Sequence, residues 1–95
     1  MSVQHDLKSW PEFFQPIMSG EKTFDVRRDD RHFNVGDVLR IREWDDRRGI
    51  YTGRQVTKRV TYVMQGVGVG GIEPLQGVHH RYVVMSLADL ENGEQ

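Results

Sequence analysis

The chain has 95 residues, 37% apolar and 28% charged, with a formal net charge of −1. That length makes a single domain over residues 1–95 with a modest core, and the composition is that of a soluble globular chain. Cysteine is absent, which excludes disulfides and thiolate metal sites, and no apolar run approaches a membrane span. The polar N-terminus, carrying Asp6, has no signal-peptide character, so the expected compartment is the cytoplasm.

Val3 to Lys8 is a short candidate strand. Ser9-Trp10-Pro11-Glu12 then has the form of a helix start: serine with glutamate three residues later fits a capping box, and proline is tolerated in a first turn. Phe13, Phe14, Ile17 and Met18 follow at helical spacing, and Trp10, Phe13 and Phe14 are read as core rather than as base-stacking platforms. Pro16 removes a donor and crowds the preceding turn, which predicts a short or distorted helix, ended by Gly20. Lys22 to Arg28 is the next strand, and Asp29-Asp30-Arg31-His32 a polar turn. Asp37 to Trp44 alternates, with Leu39 and Ile41 inward and Arg40 and Arg42 outward. Asp45 to Gly49 is a turn, Ile50 to Gly53 continues a hairpin, and Arg54 to Met64 is a long strand rich in valine and threonine. Gln65 to Arg81 is a long loop holding five of the ten glycines. Tyr82 to Leu87 is a final apolar strand, and the acidic tail 88–95 is expected to fray or to be briefly helical.

Five or six strands and one early helix in so short a chain favour a mainly-β α+β fold. The expected form is a small barrel, closed so that few edges are exposed, with the helix over one opening. Leu39, Ile41, Val60 and Val84 are the expected core of that sheet.

The run Gly20-Glu21-Lys22-Thr23-Phe24-Asp25-Val26-Arg27 carries the most chemistry. Ionised groups are costly to bury unless paired, so a cation, a carboxylate and a guanidinium within six residues mark either an ion-pair cluster or a site. Asp25 and Arg27 share parity, and on a strand both point to one face while Phe24 and Val26 point to the other. Lys22 stands at the strand's mouth. A second feature is the segment Arg40 to Arg59, with seven basic residues against three acidic, and ten of the chain's thirteen cations are arginine. A guanidinium presents a planar fork suited to phosphate or carboxylate. Arg40, Arg42, Arg47, Arg48 and Arg54 therefore form a candidate nucleic-acid face, weighed against solvated strand residues paired with nearby acids. Trp44 and Tyr51 flank this segment, as stacking groups or as ordinary cross-strand packing.

Gly66-Val-Gly-Val-Gly-Gly71 is not a phosphate-binding P-loop, because no Gly-Lys-Ser/Thr follows it, and no helix pattern follows to make a dinucleotide fingerprint. A mobile loop or lid is the better reading. His79 and His80 are adjacent and point opposite ways on an extended segment, so no metal site is expected and no cofactor is implied.

The spacing glycine, any residue, lysine, two residues, an acid, one residue and arginine, over Gly20 to Arg27, resembles the signature of the ASCH domain, a relative of the PUA RNA-binding fold. Phe33-Asn34-Val35-Gly36-Asp37-Val38-Leu39 is similar to that family's turn into its next strand. His5-Asp6-Leu7-Lys8 and Trp10-Pro11-Glu12-Phe13-Phe14 are similar to the opening of the small phage and bacterial subgroup known as DUF3850. The resemblance covers about residues 4–87.

It implies a PUA-like pseudo-barrel whose cleft, lined by Lys22, Asp25 and Arg27, binds RNA or a modified nucleotide. It also implies an alternative. Some ASCH proteins are amidohydrolases on N4-acetylcytidine that use the motif lysine, a threonine three residues later and a distant glutamate. Lys22 matches the lysine, Asp25 stands in the threonine's place, and Glu73 is the candidate glutamate. Asp25 is a counterion to the Lys22 ammonium and works against the neutral amine that a nucleophile or base requires. Other ASCH proteins are ribonucleases, so the resemblance also implies acid–base chemistry on RNA, with His79, His80 and Lys22 as its natural candidates. A phage accessory protein that binds another protein through the arginine-rich hairpin is a third class.

Overall fold

The computed structural model describes residues 2–66, 68–69, 73–74 and 81–90. Strand β1 (Gln4–Ser9) leads into helix α1 (Pro11–Ser19), then β2 (Phe24–Arg28), β3 (Val38–Asp45), β4 (Ile50–Gln65), the two-residue β5 (Gly68–Val69) and β6 (Glu73–Pro74), and β7 (Tyr82–Asp89). The main sheet has the order β1-β3-β4-β7-β2, and β5 pairs with β6 alone. β1 runs parallel to β3, and the other pairs are antiparallel. The result is a mainly-β α+β fold: a five-stranded sheet curled into a half-barrel, with one short helix packed on β3 and β4.

Alternation builds the sheet. On β3, Leu39 and Ile41 are fully buried while Arg40 and Arg42 are not, as the sequence predicts. β4 is long enough to pair with β3 at its start and with β7 at its end. Its ladder with β3 shifts register between Arg42 and Trp44, opposite Gly53, whose φ of +97° suits the irregularity. The ladder with β7 shifts again between Val60 and Tyr62. Such bulges bend a strand and increase its twist, which is how a single strand serves both halves of a curled sheet.

The interior holds Leu7, Phe14, Ile17, Phe33, Leu39, Ile41, Val60, Val83, Met85 and Leu87. Val84 is only half-buried, on the opposite face from Val83 and Met85. Tyr82 to Leu87 contains a continuous apolar run, so its composition does not reveal which parity faces in.

Helix α1 departs from the expected start. Trp10 is its N-cap and makes no side-chain capping bond. Ser9 belongs to β1 and is buried, so no capping box forms. The helix carries Pro16 within it and ends at Gly20, whose φ of +88° is left-handed. Of the four apolar residues at helical spacing, Phe14 and Ile17 are buried, while Phe13 and Met18 face outward.

At the opposite end from α1's first turn, Asp37 ties three segments together. Its Oδ1 accepts the Val3 N–H at 3.1 Å, and its Oδ2 accepts the Asn34 N–H at 3.0 Å and meets His5 Nε2 at 2.9 Å. His5 in turn packs against Phe33, with ring centroids 4.7 Å apart and the planes tilted by 59°.

A candidate ligand-binding cleft

The two edges of the half-barrel, β1 and β2, are joined by side chains instead of a backbone ladder. Arg27 Nη1 donates to the Lys8 carbonyl at 2.9 Å, and Arg31 Nη1 donates to the Asp6 carbonyl at 2.7 Å. Lys8 and Asp6 share parity on β1, so two guanidinium groups satisfy carbonyls along its outer edge. Arg27 is held in turn by Asp25, whose Oδ2 accepts its Nε–H at 2.7 Å, while Asp25 Oδ1 accepts the Val26 N–H at 3.1 Å.

This arrangement fixes which face of β2 looks inward. Asp25 is buried, whereas Phe24 and Val26 are 45% and 47% exposed. The shared parity of Asp25 and Arg27 is as the sequence implies. The direction is the unusual one: the charged pair faces in and the apolar pair faces out.

Where β1 and β2 part, the seam widens into a cleft of about 480 Å³, lined by Lys8, Ser9, Trp10, Phe13, Lys22, Asp25, Val26 and Arg27. Lys22 is positioned by its backbone N–H, which donates to the Pro16 carbonyl at 2.9 Å. Its Nζ lies 4.0 Å from Asp25 Oδ1, and 5.6 Å and 5.3 Å from the ring centroids of Phe13 and Phe24. Asp25 is thus committed to Arg27 and to its own strand, and Lys22 is a cation flanked by aromatic faces.

Trp10 and Phe13, read from sequence as core, stand at the cleft with 47% and 52% of their surface exposed. Their rings are 6.5 Å apart and tilted by 31°. Lys8 and Ser9 are lining residues that the sequence did not single out. Their signal is positional: they end the strand that hands the chain to the helix, so they border the opening the helix covers.

The arginine set divides. Arg27 belongs to the cleft. Arg54 reaches the helix, donating to Gln15 Oε1 at 2.6 Å, with its Nε 3.7 Å from the buried Glu43 and its guanidinium 5.2 Å from the Phe14 ring. It ties α1 to the sheet while its side chain remains 46% exposed. Arg40 donates twice to Gln55 Oε1 and lies 3.7 Å from Asp6. Arg42 covers the Tyr51 ring at 3.8 Å, and Lys8 Nζ covers the Trp44 ring at 3.9 Å. With Trp44 and Tyr51 edge-to-face at 4.9 Å, these aromatics are packed with each other and with cations. Arg47 and Arg48 sit in the β3–β4 turn, where Asp45 Oδ1 accepts both backbone N–H groups, and the Arg48 side chain is 74% exposed.

The side chain of Glu73, both His79 and His80, and Val67, Gly70 and Gly71 of the Gly66–Gly71 loop lie outside the described residues. Among the described residues, no three His, Asp or Glu gather to hold a metal ion, and no helix is long and apolar enough to cross a membrane.

Comparison with known proteins places this chain in a family. A curated relative, "Uncharacterized 12.9 kDa protein in GpA 3'region" of Escherichia phage P2, is 35% identical over 63 residues, which is 66% of this chain. The matched region spans 56% of that protein's length. The family model "Domain of unknown function (DUF3850)" matches residues 4–87, a span that includes every residue lining the cleft, and the chain belongs to the DUF3850 family.

Proposed function

We propose that this chain is a cytoplasmic, PUA-like barrel of the ASCH type that binds RNA or a modified nucleotide in the cleft between β1, α1 and β2. The observation that carries this reading is the pairing of two exposed aromatic faces, Trp10 and Phe13, with the Lys22 cation in one concave site. Large aromatic surface left in water forgoes its burial energy, and stacking on an unpaired base recovers it. In this account Trp10 and Phe13 take the base. Lys22 engages a phosphate or carbonyl oxygen, and Asp25 holds Arg27 in place. The exposed Arg47 and Arg48 add phosphate contacts for a longer strand.

The rival enzyme readings, an amidohydrolase on an acylated nucleoside or a ribonuclease, need Lys22 or a partner to move protons. Lys22 beside the buried Asp25 supports a binding cation instead. The phage origin of the relative is compatible with a phage or prophage accessory role built on nucleotide binding, or on a protein partner.

Calorimetric titration with short single-stranded RNA over a range of salt tests the proposal. Removing the Trp10 and Phe13 rings together by alanine substitution is expected to cost about 1–3 kcal/mol per stacked base. Arg47→Ala with Arg48→Ala is expected to weaken binding modestly and to lower the salt slope by about 1–2, through fewer released counterions. RNA affinity and slope unchanged by the arginine pair would assign the hairpin to solubility or to a protein partner. Affinity unchanged by loss of both rings would remove the cleft from the account.

A further inference from the structure

Lys58 is an inward-pointing lysine that the cleft does not use. It pairs in register with the buried Leu39, between Val56 and Val60 on the same face of β4. An aliphatic side chain would satisfy such a position. Instead, the lysine runs its stem through the interior and brings Nζ to a second hollow of about 200 Å³, lined by Gly20, Lys22, Thr23, Lys58, Leu87, Ala88 and Asp89. Lys22 lines both this hollow and the aromatic cleft, so the two spaces adjoin at one residue.

The partner of Lys58 is Asp89, the last residue of β7, which accepts its hydrogen bond through Oδ1. The Lys58 side chain is 11% exposed and that of Asp89 is 86% exposed. A largely buried cation is thus neutralised by a carboxylate that stands almost wholly in water at a strand end. Such a pair is weak on the exposed side, and its anionic half is the replaceable one. The Lys58 hydrogen bond, and then its charge, hold the Asp89 carboxyl below its ordinary range, so Asp89 is an anion at neutral pH.

We propose that the hollow between Lys22 and Lys58 is a phosphate subsite, that it takes the phosphate of a nucleotide whose base lies in the aromatic cleft, and that Asp89 fills the phosphate's place when no ligand is bound. The inference rests on the cleft being a nucleotide site, and it narrows the ligand from nucleosides to their phosphorylated forms. Lys58 brings its ammonium to the hollow and Lys22 lines the side toward the cleft, so positive charge borders the space a phosphate would take, and Asp89 offers a single negative charge to Lys58 there. Exchange of one for the other leaves no buried charge unpaired.

The test compares cytidine, cytidine 5′-monophosphate and inorganic phosphate as ligands of the full chain, by calorimetry and by amide chemical shifts. The monophosphate is expected to bind roughly tenfold tighter than cytidine, the worth of one charge-assisted contact. Lys58→Met is expected to remove most of that preference, Lys22 retaining the remainder. Asp89→Asn removes the competing anion and is expected to tighten the monophosphate by roughly two- to fivefold, the scale of an exposed ion pair.

Equal affinity for cytidine and its monophosphate in the wild type overturns the subsite and leaves the base cleft standing. A preference undiminished by Lys58→Met overturns it too. If Lys58→Met does not fold, Asp89→Asn decides, and no gain in monophosphate affinity counts against the subsite. If cytidine itself fails to bind, the reading of the cleft fails, and the inorganic phosphate titration judges the subsite alone. Saturable shifts at the Ala88 and Asp89 amides support it, and unmoved amides overturn it.

Discussion

Lys22→Ala is expected to weaken nucleotide or RNA binding by roughly tenfold or more, the loss of a charge-assisted contact in a concave site. Lys22→Arg is expected to keep most of that affinity, because it keeps the cation. The pair of variants separates binder from enzyme. Arginine does not shed its proton at working pH, so a reaction that needs a neutral Lys22 as nucleophile or base stops in Lys22→Arg while substrate still binds. N4-acetylcytidine conversion to cytidine and cleavage of a short RNA, each followed with wild type and both variants, are the assays. The account expects binding without turnover in the wild type, since Nζ sits beside the buried Asp25 carboxylate. Clear wild-type turnover that vanishes in Lys22→Arg contradicts it and establishes the hydrolase or nuclease.

The largest effect on stability is expected at Asp37. It is 1% exposed and accepts from Val3, Asn34 and His5, so it joins β1, the turn before β3 and β3 itself. Asp37→Ala leaves two backbone N–H groups and the His5 ring without their acceptor, at a cost of about 3 kcal/mol. The denaturant midpoint should fall with little change in slope.

Burial pushes the Asp37 carboxyl upward. The His5 hydrogen bond, the Asn34 and Val3 N–H bonds and the His5 charge together outweigh burial, and the net direction is down. A group lowered on folding stabilises the native state above its unfolded value, 3.8 for this carboxyl, and loses that contribution as pH falls through the lower folded value. Wild type should therefore lose stability in acid, below about pH 4, more steeply than Asp37→Asn, which has no carboxyl to protonate. Identical acid profiles for the two proteins would contradict this role for Asp37.

Much of the sheet was legible because alternation over 38–44 has one solution: Leu39 and Ile41 in, the arginines out. Gly20 was legible as a helix stop because its left-handed conformation is one that glycine adopts freely. Asp25 and Arg27 were legible as neighbours on one face, but not as the inward face. Parity gives the grouping and not its sign. The sign comes from Arg27 reaching the Lys8 carbonyl across the seam, a contact 19 residues distant in sequence. Val84 was misplaced for the related reason that an unbroken apolar strand has no alternation to read. Trp10 and Phe13 were misread because helical spacing marks an apolar face wider than the barrel mouth it covers. The surplus at the rim is what forms the cleft. Lys58 was hidden within a basic segment, and only its position between Val56 and Val60 hinted that it points in.

The chain carries its own comparison for the central claim. Its two tryptophans are Trp10, exposed at the cleft, and Trp44, whose face is covered by Lys8 beside the arginine-rich hairpin. Titration of the isotope-labelled chain with cytidine 5′-monophosphate, observed at the two indole N–H resonances, reports both places at once. Binding in the cleft predicts a saturable shift at Trp10 larger than that at Trp44, and loss of that shift in Lys22→Ala. A saturable shift confined to Trp44, or two indoles that stay still at millimolar ligand, would contradict the assignment of the cleft as the nucleotide site.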